Sequence, residues 1–362
     1  MPTTDLRNHT LPELTEFLSA IGLPASRAGQ VFNWLWRPGN HDFAHFSGLN
    51  RDLRELLPRH ATLSHLRADR QETSKDGTVK FCFRLADGAM VESVLIPGPR
   101  RRTLCLSSQA GCAMGCRFCL TGGMGLVRNL YPAEIAGQVL AVMEHLVAQG
   151  ESPARPRELI NNLVFMGMGE PLANFDHLRA ALAILMAPQG LEFTERRITV
   201  STCGLAPRIR QLKTTAPVNL ALSLHAADDQ TRSRLMPVNG AYPIAELLAA
   251  CRDYPRRPGQ VILIEYILFA GINDAPEHAR RLADLLSGLP CRINLMPFNE
   301  SEALPFRRPD RPIVEAFQAI LRQAGFMALI RNSRGADIQA ACGQLASRPP
   351  PKTGATFLPE PD

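Results

Sequence analysis

The chain has 362 residues, of which 45% are hydrophobic, and a formal net charge of +6 at pH 7. Its length and apolar content predict a folded protein with one large domain and a smaller appendage, and they exclude a disordered chain. The longest apolar run, residues 261–272, is short and contains Glu265, so it is excluded as a membrane span.

Three short segments at the start of the chain have the apolar spacing of helices. They cover residues 11–21, 26–36 and 49–57, and Pro24 separates the first two. We therefore predict a small helical domain over residues 1–60.

The pattern changes to short strands after residue 60. Residues 78–85 and 89–96 are separated by the turn signal Asp87-Gly88, which predicts a β-hairpin in a connecting region over residues 61–97. Pro97-Gly98-Pro99 is typical of a boundary, and we place the start of the main domain at residue 98.

Three cysteines, Cys112, Cys116 and Cys119, follow one another at the spacing C-x3-C-x2-C. The many glycines around them favour a loop over a buried helix stripe. Structural zinc sites usually require four ligands, whereas three thiolates in one loop suit an iron-sulfur cluster that keeps one iron uncapped. An uncapped iron can bind a substrate or a cofactor directly.

Strand and helix signals alternate six times beyond residue 98. Such alternation predicts a parallel sheet with right-handed crossovers, and six units are too few for a closed eight-stranded barrel. We therefore predict an α/β fold with an open partial (β/α)6 barrel, although the count is also compatible with a doubly wound sheet. The six strand segments and one final strand are residues 104–107, 162–166, 198–200, 218–224, 261–269, 292–296 and 327–330.

Polar residues follow the predicted strands at their carboxyl ends. Each one alone is explained by helix capping or by a satisfied buried polar group. Because the carboxyl ends of parallel strands meet at one rim, the set predicts a cofactor site there. Its members are Gly169, Glu170, Ser201, Ser223, His225 and Asn299.

Four arginine clusters and a proline-rich tail complete the pattern. The positive net charge favours a polyanionic partner, although each cluster taken singly is equally compatible with solvated loop charge. Residues 347–362 are poor in apolar residues, which predicts a disordered tail. The clusters are at residues 100–102, 196–197, 256–257 and 307–308.

No apolar core of signal-peptide length occurs near the start of the chain. The cysteines outside the triplet are scattered without a disulfide framework, which favours a reducing compartment. We therefore expect a cytoplasmic protein.

Six sequence motifs occur in the order expected of one family: VESVLIP around Glu92, TLCLSSQAGC from Thr103, MGMGEP, SLHA, INLMPFN and ACGQL. On these motifs the chain resembles, over nearly its whole length, the RlmN/Cfr family of radical S-adenosylmethionine (SAM) enzymes. The resemblance implies the same partial barrel, a [4Fe-4S] cluster, and SAM used twice per turnover.

The resemblance also implies a role for individual residues. Cys112, Cys116 and Cys119 would be the cluster ligands. Cys342 would carry a methyl group as an intermediate, Cys105 would be its partner thiol in a transient disulfide bond, and Glu92 would be the proton acceptor. The implied SAM contacts are Gly169, Glu170, Ser201, Ser223, Leu224, His225 and Asn299.

The implied activity is methylation of adenosine C2 in 23S ribosomal RNA and in transfer RNA. It implies a monomer that receives electrons from a donor of the flavodoxin or ferredoxin type and has no membrane partner. We expect its N-terminal helical domain, residues 1–60, and its basic loops to bind the RNA through phosphates. Two other interpretations remain open at this point: a Cfr-like methyltransferase acting on adenine C8, and a non-catalytic iron-sulfur module that binds RNA.

Overall fold

A computed structural model of the chain describes residues 4–46, 51–99, 101–152 and 155–345. The N-terminal unit contains the helices α1 (Leu11–Ala20), α2 (Ala28–Leu35) and α3 (Arg51–His60). The short strands β1 (Thr4–Asp5) and β2 (Ala61–Thr62) pair in parallel and bring the two ends of the unit together. The predicted helical domain is confirmed, although the first residues of the third predicted helix, 49–50, lie outside the described residues.

The sequence of α1 shows why this helix forms where it does. Thr10 donates its backbone N–H to the carboxylate of Glu13 at 2.8 Å, which satisfies a group that the first helical turn leaves free. Leu14 and Leu18, one helical turn apart, are fully buried on the face towards the core.

One ten-stranded sheet organises the rest of the protein. Its order is β14-β13-β12-β11-β10-β9-β6-β5-β4-β3, and it is parallel from β6 to β14 and antiparallel from β3 to β6. A separate antiparallel pair, β7 with β8, carries the cysteine triplet. The strands are β3 (Ala68–Thr73), β4 (Val79–Arg84), β5 (Met90–Pro97), β6 (Arg102–Cys105), β7 (Gln109–Cys112), β8 (Gly125–Asn129), β9 (Asn162–Phe165), β10 (Ile198–Thr202), β11 (Asn219–Ser223), β12 (Ile262–Leu268), β13 (Cys291–Pro297) and β14 (Met327–Ile330).

The parallel strands confirm the predicted α/β fold. The barrel is partial because β3 and β14 are the two edges of the sheet, and no pairing joins them within the described ranges. Eight further helices complete the fold. They are α4 (Leu120–Gly123), α5 (Pro132–Ala148), α6 (Phe175–Met186), α7 (Ala206–Thr215), α8 (Asp229–Leu235), α9 (Ile244–Arg252), α10 (Pro276–Leu285) and α11 (Arg311–Gln323). None of the helices in the described part of the chain is long and apolar enough to cross a membrane.

The predicted hairpin forms, and it extends the barrel sheet. Pro97 at the end of β5 pairs with Arg102 at the start of β6, and Gly98 donates its backbone N–H to the carbonyl oxygen of Arg101 at 2.8 Å, so the predicted boundary is a turn within a single sheet. Several elements were not predicted, among them β7, β8 and α4 around the cysteine triplet, the edge strand β3 and the helix α8. The edge strand β3 is polar and mostly exposed, and α8 buries only Arg232 and Leu235, so neither has a clear apolar period. The division at residues 60 and 97 and a main domain over residues 98–346 stay predictions.

Three of the four arginine clusters lie at the amino-terminal ends of parallel strands. Arg102 begins β6 directly after Arg101, residues 196–197 precede β10, and residues 256–257 precede β12. These ends form the rim opposite the carboxyl ends, where chemistry is expected. Arg100 and the tail residues 347–362 lie outside the described residues, so the predicted disordered tail stays a prediction.

Candidate active site

The cysteine triplet lies in the hairpin formed by β7 and β8, and the two strands approach so closely that one position requires glycine. Cys112 ends β7, and Gly111 beside it has a φ of +74°. A Cβ atom at position 111 would lie 1.9 Å from the carbonyl oxygen of Gly125 on β8. The close approach of the two strands therefore requires glycine at this position.

Cys116 and Cys119 lie in a tight turn directly after β7. Cys119 donates its backbone N–H to the carbonyl oxygen of Cys116 at 3.1 Å. A Cβ atom at Gly122 would lie 2.9 Å from the same carbonyl, so the following short helix packs against the turn. All three cysteines line one cavity of about 900 Å³, a volume that includes its open mouth.

The three thiols are poor acids as long as no cation lies between them. Burial raises the pKa of Cys112 to about 12; a hydrogen bond with the backbone of Met114 opposes the increase, and the charges of Cys119 and Glu170 add to it. Burial and the neighbouring thiols also raise the pKa of Cys116. A cationic metal cluster reverses this balance, because thiolates are the ligands that iron-sulfur clusters select.

The donor set fits a cluster with three protein ligands. A fourth cysteine, Cys203, also lines the cavity, but its thiol hydrogen-bonds to the buried carboxylate of Glu170. The cluster loop therefore offers three thiols, which matches an iron-sulfur cluster better than a structural zinc site with four ligands.

The loop after β9 approaches the cluster hairpin closely at Gly169. This residue has a φ of +95°, and a Cβ atom there would lie 2.5 Å from the Cβ atom of Gln109. The side chain of Gln109 accepts the backbone N–H of Glu170 at 2.8 Å. Glycine thus lets the loop lie directly against β7.

Glu170 is a buried carboxylate that holds two strand ends together. It accepts backbone N–H groups from Leu172 at 3.0 Å and Cys203 at 2.8 Å. Burial raises its pKa above the usual value, and the hydrogen bonds from Cys203 and Leu172 limit that increase. Its role within the protein is therefore to fix the rim of the cavity.

His225 follows β11 in a left-handed conformation, with a φ of +57°. Its Nδ1 accepts the backbone N–H of Ile267 at 3.1 Å, so the ring proton is on Nε2. Burial, followed by the charge of Arg232, lowers its pKa to about 3. His225 therefore lines the cavity as a neutral ring, and it packs edge-on against Phe118 of the cluster loop.

Cys342 reaches the cavity because the C-terminal segment packs on the cluster loop. Leu120 donates its backbone N–H to the carbonyl oxygen of Gly343 at 2.8 Å, and the Thr121 hydroxyl donates to that of Leu345 at 2.6 Å. Cys342 is exposed as a residue, and it also lines the cavity. Desolvation, followed by the charges of Glu265 and Cys119, raises its pKa to about 11.

Cys105 and Glu92 do not line the cavity, but both face its side of the sheet. Cys105 pairs with Val94, two residues from Glu92, and the register across β9 places both on the same face as Ser201. Burial raises the pKa of the Cys105 thiol, and the charge of Cys342 adds to the increase. The two sulfur atoms are therefore in electrostatic range of one another, and all nine cysteines are free.

Two predicted SAM contacts lie outside the cavity lining. Leu224 is completely buried in the hydrophobic core. Asn299 is partly exposed and donates its amide N–H to the carbonyl oxygen of Cys342 at 3.4 Å. The residues of the predicted set that do line the cavity are Cys112, Cys116, Cys119, Gly169, Glu170, Ser201, Ser223, His225 and Cys342.

Three residues of the site had no sequence signal strong enough to single them out. Glu265 is buried in β12, lines the cavity and accepts a hydrogen bond from Asn294 at 2.8 Å. Arg232 is fully buried and donates to the backbone oxygens of Cys203, Ser223 and Leu224. The third is Cys203. Of these three residues, only Glu265 could have been noticed in the sequence, because it is an acidic residue within the apolar run that forms β12.

Two family models match the chain. The model of the radical SAM superfamily matches residues 106–283, and the model of the ribosomal RNA large subunit methyltransferase N-terminal domain matches residues 4–63. The first match covers the part of the partial barrel from β7 into α10, and the second covers the N-terminal helical unit.

Similar proteins share nearly the full length of the chain. A dual-specificity RNA methyltransferase RlmN from Desulfotalea psychrophila is 50% identical over 95% of this chain and 95% of its own. The protein of the same name from Geobacter sulfurreducens is 48% identical over 95% and 92%. The crystal structure of a radical SAM methyltransferase from Sphaerobacter thermophilus has a TM-score of 0.88 at 44% identity, covering 95% of this chain and 100% of that one.

Proposed function

The chain belongs to the RlmN family of radical SAM RNA methyltransferases, and from this premise we propose that it methylates C2 of an adenosine in 23S ribosomal RNA and in transfer RNA. The relatives carry the term dual-specificity in their names, which supports two kinds of RNA substrate. The position of Cys342 between the cluster loop and the cavity is the observation that supports the chemistry most directly.

Adenine C2 limits the chemistry that can methylate it. This carbon is electrophilic and has no lone pair, so transfer of a methyl cation to it has no nucleophile. A bound [4Fe-4S] cluster and two SAM molecules per turnover would supply a methyl group and a 5'-deoxyadenosyl radical. Cys112, Cys116 and Cys119 would hold the cluster, and the proposed SAM contacts are Gly169, Glu170, Ser201, Ser223, Leu224, His225 and Asn299.

Cys342 would act as the carrier of the methyl group. Its sulfur must be ionised to accept a methyl cation, and its raised pKa means that its proton has to leave when the cofactor binds. Loss of one hydrogen atom from the resulting S-methyl group would give a carbon radical that can add to C2. The solvent access of Cys342 supports this role, because the adenine must reach the sulfur.

Cys105 and Glu92 would complete the reaction on the neighbouring strands. Glu92 would accept the proton from C2. The Cys105 thiol would attack the Cys342 sulfur and break its bond to the methylene carbon, which takes up the thiol proton and becomes the methyl group as the disulfide forms. The one electron left over from the radical would return to the redox group that supplied it. Lys80 Nζ lies 4.0 Å from the carboxylate of Glu92. The disulfide must be reduced before the next turnover, which fits a protein in the reducing cytoplasm.

We also propose that the protein acts as a monomer and receives electrons from a donor of the flavodoxin or ferredoxin type.

The RNA would approach the carboxyl rim with the target adenosine unstacked from its neighbours. Arg307 and Arg308 are exposed there and follow Phe306, which packs on the aromatic group formed by Phe269 and Phe298. Their position supports phosphate contacts beside the cavity.

Anaerobic reconstitution with iron, sulfide and SAM, followed by incubation with both kinds of RNA, tests the proposal. We expect nucleoside analysis by mass spectrometry to find 2-methyladenosine in each RNA. Methylation at C8 would assign the protein to Cfr-like chemistry. Absence of both methylated nucleosides and of 5'-deoxyadenosine would support a non-catalytic RNA-binding module.

A further inference from the structure

A second group of metal-ligating side chains lies outside the cavity, where the N-terminal unit meets α5. It consists of His41 in the loop after α2, His65 in the segment between β2 and β3, and Glu144 on α5. One potential ligand atom from each side chain lies within 4.8 Å of the other two. The three residues come from three separate elements, so their convergence is a property of the folded protein.

The distances suit one small cation. His65 Nε2 lies 2.9 Å from Glu144 Oε2, and His41 Nδ1 lies 3.8 Å from Glu144 Oε1. The two imidazole rings lie with their centroids 3.8 Å apart. Ligand atoms around a tetrahedral zinc ion are about 3.3 Å apart for bonds of the usual length. The two measured distances, each to a different oxygen of the Glu144 carboxylate, lie on either side of that value.

His41 provides the observation that points to a ligand. Its Nδ1 is buried, and within the described part of the chain this atom makes no hydrogen bond. A buried ring nitrogen without a partner is costly, and a metal ion would satisfy it. Two imidazole nitrogens and one carboxylate oxygen form a ligand set that zinc and similar divalent transition metals prefer.

We propose that His41, His65 and Glu144 bind a divalent transition-metal ion of the zinc type, with water completing its coordination. The ion would join the loop after α2 and the segment before β3 to α5 of the barrel. The orientation of the Glu144 carboxylate is fixed in advance, because its Oε1 accepts the backbone N–H of Gly39 at 3.1 Å.

Arg67 opposes the ion and sets the affinity of the site. Its Nε donates to His65 Nδ1 at 3.0 Å, which places the ring proton of His65 on Nε2, where it donates to Glu144. Metal binding at Nε2 requires that proton to move to Nδ1, so Arg67 must turn away. Arg67 is exposed and has room to do so. Arg7 is a second nearby cation that disfavours the metal.

Zinc titration of the cluster-loaded protein tests the site, because the cluster then occupies the three cysteines that would otherwise bind zinc. Isothermal titration calorimetry is expected to show one site, and zinc X-ray absorption is expected to show nitrogen and oxygen neighbours without sulfur. The Glu144→Gln and His41→Ala variants should each weaken binding about tenfold or more. Arg67→Ala should strengthen it.

The outcomes separate this site from the methyltransferase chemistry, since no RNA or SAM is present. Equal zinc affinity in the wild type and both ligand variants would overturn the proposal, as would a sulfur shell around the bound zinc. Circular dichroism of each variant controls for folding. If a variant fails to fold, the response of the folded Arg67→Ala variant still decides: unchanged affinity there contradicts the proposed proton transfer on His65.

Discussion

Leu120 donates its backbone N–H to the carbonyl oxygen of Gly343 at 2.8 Å, which joins the residue after Cys119 to the residue after Cys342. The two cysteines are more than two hundred positions apart in the chain, yet this bond places their backbones side by side. The loop that carries the cysteine triplet and the proposed methyl carrier are thus parts of one packed unit.

The hydroxyl of Thr121 anchors the segment that carries Cys342. It donates to the carbonyl oxygen of Leu345 at 2.6 Å in a buried position. Thr121→Val keeps the shape and removes the donor, so we expect about 1 to 3 kcal/mol less stability and slower methyl transfer. Denaturant unfolding and nucleoside analysis measure the two effects.

Thr121→Ser is the matched control, because it retains the hydroxyl and should keep most of the activity. Unchanged methylation in Thr121→Val would show that the position of Cys342 does not depend on this hydrogen bond.

Position 169 requires glycine for two reasons: its φ is positive, and the side chain of Gln109 leaves no room for a Cβ atom. Gly169→Ala would place a Cβ atom 2.5 Å from that of Gln109 at a φ of +95°. Gly150 has a φ of +94° with nothing within 4 Å, so Gly150→Ala carries the backbone strain alone. We expect Gly169→Ala to lower the free energy of unfolding by about 1 to 3 kcal/mol more than Gly150→Ala.

The Gly169→Ala and Gly150→Ala variants also separate an effect on stability from an effect on SAM binding. Gly169→Ala should also weaken SAM binding, measured by calorimetry on the cluster-loaded protein, whereas Gly150→Ala should not. Equal losses of stability in the two variants would mean that Gln109 moves aside without cost.

His225 makes the stability of the protein depend on pH. Its pKa is about 3 in the folded protein and 6.5 in the unfolded chain, so the unfolded state binds the proton more readily. The resulting stabilisation is complete above pH 6.5 and is lost as the pH falls towards 3. Each pH unit below 6.5 should cost about 1.4 kcal/mol through this residue.

His225→Asn is the comparison for this pH dependence. Asparagine tolerates the φ of +57° and can accept the N–H of Ile267, but it does not titrate. Urea unfolding of the cluster-free proteins at pH 6.5 and at about pH 5 measures both slopes. Identical slopes would contradict a neutral buried His225.

The arginines that contact RNA are expected on the carboxyl rim. Replacing Arg307 and Arg308 by alanine should weaken RNA binding and reduce its dependence on salt concentration, because two phosphate contacts are lost. Replacing Arg196 and Arg197, also exposed but on the opposite rim, is the charge-matched control and should change neither. Fluorescence anisotropy with labelled RNA at several salt concentrations gives both values. Equal losses in the two double variants would argue against the carboxyl rim as the RNA face.

The sequence could predict the parts of the site that depend on local pattern. The cysteine triplet has its own spacing, and Gly169, Glu170, Ser201, Ser223 and His225 follow strands that were recognisable by their apolar runs. A parallel sheet brings such strand ends together, so their convergence follows from the fold class. This reasoning requires no knowledge of any tertiary contact.

The remaining parts depend on contacts that a local pattern does not encode. Cys342 reaches the cavity through hydrogen bonds from Leu120 and Thr121, which no spacing indicates. Buried Arg232 lies on the charged helix α8, whose sequence resembles an exposed loop. The sequence does not show on which face the arginine clusters lie, whereas the direction of the strands places three of the four on the rim opposite the cavity.

The central claim is that Cys342 carries the methyl group to the RNA. The most direct measurement is methylation of both RNA substrates by the reconstituted Cys342→Ala variant, with Cys291→Ala as a control at a cysteine outside the cavity lining. We expect Cys342→Ala to retain the visible absorption of its iron-sulfur cluster and to form no methylated adenosine, while Cys291→Ala behaves like the wild type. Formation of methylated adenosine by Cys342→Ala at the wild-type rate would contradict the account.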